Sequence, residues 1–327
     1  MSYRDELKGK YYPEDYALIP DFRSLTLKLE LTNLCNHSCM TCPHRKQTRQ
    51  KGFMDGTLAR RLIREAGQLG IPKAALFLNG ESFLVKEIAD YVALSKECGI
   101  SYVFLTTNGV RATEQQLADV MHAGLDSLKF SVNGCDRQSY REVHGHDDFL
   151  QAIDRLRFAR EYRDANALPC RILAGCVLTN GMKGRLEEYQ ETVGRWADEL
   201  LFMKPDNFGG YMVEELPSLY TEDGYRDPRI YDFSDKRVPC PLVFNSINVT
   251  YEGYLTLCCS EALNYMVMED LNHMTLEEAW SSERVVEIRR RHLRGELEGL
   301  QCHNCVYNET APVEPMNLEL FARTYQA

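Results

Sequence analysis

The chain has no run of about 20 apolar residues, so nothing in it is long enough to span a bilayer as a helix. The first residues, Met1-Ser2-Tyr3-Arg4-Asp5-Glu6, carry no apolar leader, which argues against secretion and for a cytoplasmic location. Basic residues are outnumbered: the net charge is −10, which argues against a general nucleic-acid binder. There is no internal repeat and no low-complexity tract. Charged residues make up 26% of the 327 positions, ordinary for a globular protein with one large and one smaller domain.

Cysteine, by contrast, is abundant, with twelve copies. In a chain of this size without a leader they point to metal sites in a reducing compartment, not to disulfides. Three of them, Cys35, Cys39 and Cys42, stand at C-x3-C-x2-C directly after an apolar stretch. Three thiolates on one short loop hold three irons of a four-iron cluster and leave the fourth open to a ligand. Zinc prefers four ligands in paired C-x2-C arrangements. A second set comprises Cys240, Cys258, Cys259, Cys302 and Cys305, with a chelating Cys302-x2-Cys305 pair. Its competing reading is a structural zinc site.

Short apolar runs at 25–31, 74–78, 102–106, 127–132, 171–179 and 199–203 alternate with helical patterns near 57–69, 85–98, 113–123, 148–163 and 184–194. Gly70, Gly99 and Gly124 are placed to stop three of these helices. Six strand–helix units predict an α/β fold with a parallel sheet and chemistry at the carboxyl ends of its strands. Residues 206–239, with Gly209-Gly210, Pro217, Gly224 and Pro228, read as a linker that helps wall the site. Two alternating runs about Glu252-Gly253 predict a hairpin, followed by helices near 275–281 and 283–294.

The C-x3-C-x2-C loop after the first strand resembles the radical S-adenosylmethionine (SAM) superfamily. The resemblance implies a partial (β/α)6 barrel over 25–205, following an N-terminal segment 1–24. In that family the open iron binds the methionine part of SAM, and reductive cleavage releases a 5′-deoxyadenosyl radical. Asn79-Gly80-Glu81 looks like the family's Gly-Gly-Glu motif, with Asn replacing the first glycine. Thr106-Thr107-Asn108-Gly109 matches its Thr-Asn-Gly turn, which also serves simply to start a helix. Ser131 corresponds to a SAM-contacting serine, and Met203 lies where the family stacks adenine.

Over 240–327 the spacing Cys240-x17-Cys258-x43-Cys302-x2-Cys305 resembles the SPASM or twitch auxiliary-cluster domain, here a β-hairpin plus helices. No cysteine follows Cys305, so the resemblance implies one auxiliary cluster and two four-iron clusters in all. The Gly253-x4-Cys count favours Cys258 over Cys259 as ligand. The spacing is most similar to the aminocyclitol dehydrogenase group of butirosin biosynthesis, which oxidises a carbinol carbon of a sugar or aminocyclitol to a ketone. Alternatives are a sugar epimerase with a cysteine hydrogen donor, a peptide maturase, and a non-catalytic iron–sulfur or zinc module. With only about 24 residues ahead of the first strand, a small polar substrate is expected rather than a peptide. Candidate donors are Cys135 and Cys176; candidate bases are His144, His146 and, in the linker, Tyr225, Arg226 and Asp227. The basic stretches His44–Lys51 and Arg289–His292 read as solvated faces or as docking patches for an acidic electron donor such as flavodoxin or ferredoxin.

Overall fold

The computed structural model describes residues 16–221, 227, 229–231 and 237–325. Six strands, β1 (Thr26–Leu29), β2 (Lys73–Ala75), β3 (Tyr102–Thr107), β4 (Ser127–Ser131), β5 (Arg171–Val177) and β6 (Glu199–Met203), pair in parallel in chain order. A two-residue strand, β7 (Ile230–Tyr231), extends that edge. At the other edge stands the hairpin of β8 (Ser246–Val249) and β9 (Tyr254–Thr256), followed by β10 (Val267–Asp270). The order β10-β9-β8-β1-β2-β3-β4-β5-β6-β7 is one open ten-stranded sheet, not a closed barrel. β8 pairs with β1 in parallel, Thr26 opposite Ser246 through Leu29 opposite Val249. The hairpin therefore covers the edge that β1 would otherwise leave unpaired.

The crossovers are α1 (Gly56–Gln68), α2 (Ile88–Glu97), α3 (Glu114–His122), α4 (Arg137–His144) with α5 (Phe149–Ala165), and α6 (Leu186–Thr192). Three starts are capped by a local side chain: Asp55 accepts from the Leu58 amide, and Thr113 and Asp136 form capping boxes with Gln116 and Ser139. Gly70, Gly99 and Gly124 follow three of these helices with φ of +73°, +84° and +93°. α4 has no counterpart in the sequence reading. Four short helices, α7 (Leu216–Leu219), α8 (Leu242–Asn245), α9 (Leu276–Trp280) and α11 (Gln301–Tyr307), and two longer ones, α10 (Glu283–Arg294) and α12 (Leu318–Tyr325), complete the described residues.

Strand residues alternate between two faces. Leu27, Leu29, Val103, Leu105, Leu128, Phe130, Ile172, Ala174 and Phe202 point to the helices and join Leu62, Val92, Leu117 and Leu156 in the main core. The other face, here the inner face, carries Lys28, Phe104, Lys129, Ser131, Leu173, Gly175, Leu201 and Met203, where Leu173 and Leu201 form a small separate cluster.

Candidate active site

The chain leaves β1 at its carboxyl end and enters the Cys35–Cys42 loop. The loop is clamped to the turn after β2. The Glu81 amide donates to the Leu34 carbonyl at 2.8 Å. A Cβ on Gly80 would lie 2.1 Å from the Thr32 carbonyl oxygen, so only glycine allows this approach. Glu81 is buried, and its carboxylate accepts from the Thr107 hydroxyl (2.6 Å) and the amides of Asn108 (2.8 Å) and Phe83 (3.1 Å). Burial raises its pKa against those donors. Asn79 is turned to the other side and donates to Glu30 at 2.8 Å. Asn108 donates to Asn36 at 2.9 Å, with its amide 3.9 Å from the Cys35 sulfur. Ser131 and Met203 reach the inner face at the ends of β4 and β6.

Burial pushes the Cys35 thiol up to about 11 and those of Cys39 and Cys42 upward too, with mutual repulsion adding at Cys35 and Cys39. Thiols that resist ionisation alone are stabilised as thiolates by a bound cation. Below Cys39 lies a chain of buried polar groups. The Asn133 amide donates to His144 Nε2 at 3.0 Å, which leaves the ring proton on Nδ1. That Nδ1 is 3.3 Å from the Cys39 sulfur and 3.2 Å from His37 Nδ1. His37 Nε2 meets the Asp148 carboxylate at 3.1 Å. Burial pushes His144 down to about 3 and lowers His37 despite Asp148, so both rings are neutral at pH 7.

The second set converges beneath the hairpin. Burial is the first cause that raises Cys302 and Cys258; the fields of Cys240 and Cys305 add at the former, those of Cys259, Cys302 and Cys305 at the latter. The Ser260 amide donates to the Cys258 sulfur at 3.4 Å, and the Cys240 amide to His292 Nδ1 at 3.3 Å. Three thiols on one zinc ion would sit ~3.8 Å apart, given Zn–S bonds of about 2.3 Å. Among the described residues neither cysteine set brings three thiols within 4.8 Å of one another. Both donor sets fit thiolates on the separate irons of a cluster better than one tetrahedral ion.

The model of the radical SAM superfamily matches residues 29–193, half of the chain. The chain belongs to the radical SAM superfamily. An iron–sulfur cluster-binding domain model, SPASM, matches residues 240–306. As a radical SAM enzyme with a SPASM domain, the chain is expected to use SAM and iron–sulfur clusters. A curated relative, GTP 3′,8-cyclase of Chlorobaculum tepidum, is 31% identical over 134 residues, and the match spans 40% of each chain. Solved structures share the fold: BtrN in complex with AdoMet and 2-DOIA (TM-score 0.56, 17% identity, 89% of this chain and 95% of that one). Streptococcus suis SuiB bound to precursor peptide SuiA gives 0.63, 13%, 87% and 69%. anSMEcpe with AdoMet and Cp18Cys peptide gives 0.59, 14%, 92% and 96%.

Several residues that the sequence suggested for chemistry in this radical SAM site stand elsewhere. Cys176 alternates with the inner-face residues Gly175 and Val177 and points to the helices, fully buried in the core. Cys135 lies in the same core, its amide donating to Ser139 Oγ at 3.1 Å. Both are corrected as hydrogen donors to an inner-face substrate: the two-residue period of β5 turns Cys176 behind the sheet, and Cys135, in the loop after β4, is buried in the apolar core. His144 is corrected as a base for substrate, because its two nitrogens are engaged by Cys39, His37 and Asn133. His146 stacks on His37, with ring centroids 5.3 Å apart. Tyr225 and Arg226 lie outside the described residues; Asp227 is bound by Arg229.

Each basic stretch sends an arginine into the interior, while Arg45 and Lys51 stay exposed. Arg49 is fully buried, donating to Glu30 (2.7 Å), Glu252 (2.8 Å) and the Ala262 carbonyl (3.0 Å). Burial alone would lower its pKa, but Glu30 and Glu252 overcome it and raise it. Lys46 pairs with Glu215 at 2.6 Å. Arg289 stacks on Trp280 at 3.8 Å and donates to three backbone carbonyls. Sequence reasoning took these arginines for surface because each acid or carbonyl partner is far away in the chain. The Asp148 support of His37 was hidden for the same reason, although His37 stands inside the cysteine motif.

Proposed function

We propose that this radical SAM enzyme abstracts hydrogen from a carbinol carbon of a sugar or aminocyclitol and oxidises it to a ketone. When bound, SAM and the first cluster supply a 5′-deoxyadenosyl radical, and a cluster on Cys240, Cys258, Cys302 and Cys305 supplies an acceptor for the second electron. The observation that carries the reading is the pairing of that second thiol set with an inner face free of cysteine among the described residues. Oxidation needs an electron acceptor; epimerisation by thiol needs a cysteine beside the substrate. The chain's own part is to hold the cysteine loop rigid, through Glu81, Gly80 and His144, and to present the inner face of the sheet to the substrate.

The overlap with BtrN, whose structure contains 2-DOIA, supports a small cyclic polyol or aminocyclitol as substrate. The overlap with anSMEcpe, which carries a peptide, favours peptide modification as the second reading. The test is anaerobic reconstitution with iron and sulfide, then dithionite and SAM, with detection of 5′-deoxyadenosine. Candidate sugars, aminocyclitols and peptides are then supplied in deuterated water. A product two electrons more oxidised supports a dehydrogenase. Deuterium at an inverted carbon, or turnover of peptides alone, refutes it.

A further inference from the structure

The inner face is more basic than the protein as a whole. On β1–β6 it carries Lys28, Lys73, Lys129 and Arg171 against one carboxylate, Glu199. Arg171 and Glu199 bind each other. Glu30, just beyond β1, is held by Arg49. This excess of positive charge stands in a chain of net charge −10. Walls of low dielectric around such a face focus its field on whatever binds there.

Lys129 is the cation placed furthest inside. In the register it lies between Thr106 on β3 and Leu173 on β5. No hydrogen bond or ion pair engages its amine among the described residues. The methylenes lean along the sheet: a Cβ on Gly175 would meet Lys129 Cδ at 3.4 Å and Cγ at 3.8 Å, and Met203 Cε at 3.2 Å. Gly175 is the partner of Ser131, two residues nearer the carboxyl ends of the strands than Leu173. Thus the stem crosses the bare backbone of Gly175 toward the cluster end, and the amine is carried to the level of Ser131. A side chain at 175 would block that path. Burial, with no acidic group opposing it, pushes the amine down to about 8, so it is still mostly charged at pH 7. A half-buried cation without a counter-charge costs some stability, and a ligand that brings the counter-charge recovers it.

We propose that Lys129 holds an anionic oxygen group of the substrate, a phosphate ester or a carboxylate, on the inner face of the sheet. The substrate is then an acidic derivative of the sugar or cyclitol rather than the neutral polyol. This rests on the radical SAM reading of the site and deepens it. Failure of that reading shows as absence of 5′-deoxyadenosine, which the test below does not measure.

The reconstituted full-length protein, with and without saturating SAM, is pulsed with an amine-acetylating ester at pH 8, and acetylation of Lys129 is followed by peptide mass spectrometry. The probes are glucose 6-phosphate, glucuronate and glucose. A charge-assisted contact predicts that one or both acidic probes slow acetylation of Lys129 about fivefold or more, and glucose less than about twofold. Protection by glucose 6-phosphate alone assigns a phosphate, and by glucuronate a carboxylate. Protection complete with SAM alone would assign the amine to the SAM carboxylate and overturn the proposal. So would equal protection by glucose, no protection by any probe, or a Lys129 that never reacts. As a second measurement, glucose 6-phosphate or glucuronate should raise the melting temperature of wild type and of Lys129→Arg but not of Lys129→Met. An equal rise in Lys129→Met also overturns it.

Discussion

Replacing His144 with Phe should make the SAM-binding cluster harder to reduce. The Asn133 amide fixes the His144 tautomer, so Nδ1–H is shared between the Cys39 sulfur at 3.3 Å and His37 Nδ1 at 3.2 Å. A hydrogen bond to a charged acceptor contributes about 1.5–3 kcal/mol, and it strengthens as the acceptor gains negative charge. If about 1 kcal/mol of it is felt only by the reduced cluster, the one-electron potential is raised by ~40 mV, at about 59 mV per tenfold change. Phe keeps the stacking of this ring on Tyr140, whose centroid is 3.9 Å away. It removes the N–H and leaves the Asn133 amide without its acceptor, at about 1–3 kcal/mol of stability. Gln supplies both an N–H and an acceptor, so His144→Gln should restore most of the potential. The assay is an anaerobic redox titration read by electron paramagnetic resonance, with iron and sulfide quantified. His144→Phe at full cluster occupancy with the wild-type potential would refute the reasoning. So would a His144→Gln shift equal to that of His144→Phe.

Arg49→Met strips Glu30 and Glu252 of their guanidinium in a buried setting and should cost about 3–5 kcal/mol, read as a lower urea midpoint. Glu30→Gln combined with Arg49→Met should recover part of the loss, and an unchanged midpoint in Arg49→Met would contradict the network's role. Alanine at Cys35, Cys39 and Cys42 together should abolish SAM cleavage while iron remains at the second set; continued formation of 5′-deoxyadenosine would disprove the assignment of the loop. Wild type should hold near eight irons per chain if both clusters are four-iron, and Cys302→Ala should hold about half; zinc in anaerobically prepared protein would remove the electron-acceptor role. Cys135→Ala and Cys176→Ala, both in the apolar core, should lose on the order of 1 kcal/mol of packing and leave the product unchanged. An epimer made by wild type and lost in either variant would show that a cysteine reaches the substrate.

The cysteine spacings were legible because a cluster loop is local: three ligands within eight residues, followed by a proline, announce themselves without any fold. The strand–helix alternation was legible for the same reason, since apolar runs and capping residues act within one or two turns of chain. Helix α4 escaped because its buried residues are mostly polar or aromatic, Ser139, Tyr140 and His144 among them, and they pack against the cluster loop, not the main apolar stripe.

Other features were decided only by tertiary structure, because each depends on partners distant in sequence. The hairpin's place beside β1 comes from edge pairing across 220 residues, Thr26 with Ser246. The face of Cys176 is set by the register of β5, which no count of cysteines reveals. Arg49 and Arg289 looked like surface charge until Glu30, Glu252 and Trp280 met them in the interior. Lys129 reads in the sequence as one polar residue in an alternating strand. Its lack of a counter-charge follows from the register: Leu173 and Gly175 on β5 and Met203 on β6 offer no carboxylate, and Thr106 on β3 offers only a neutral hydroxyl. Local chemistry writes itself into short spacings, whereas burial and charge pairing are properties of the packed whole.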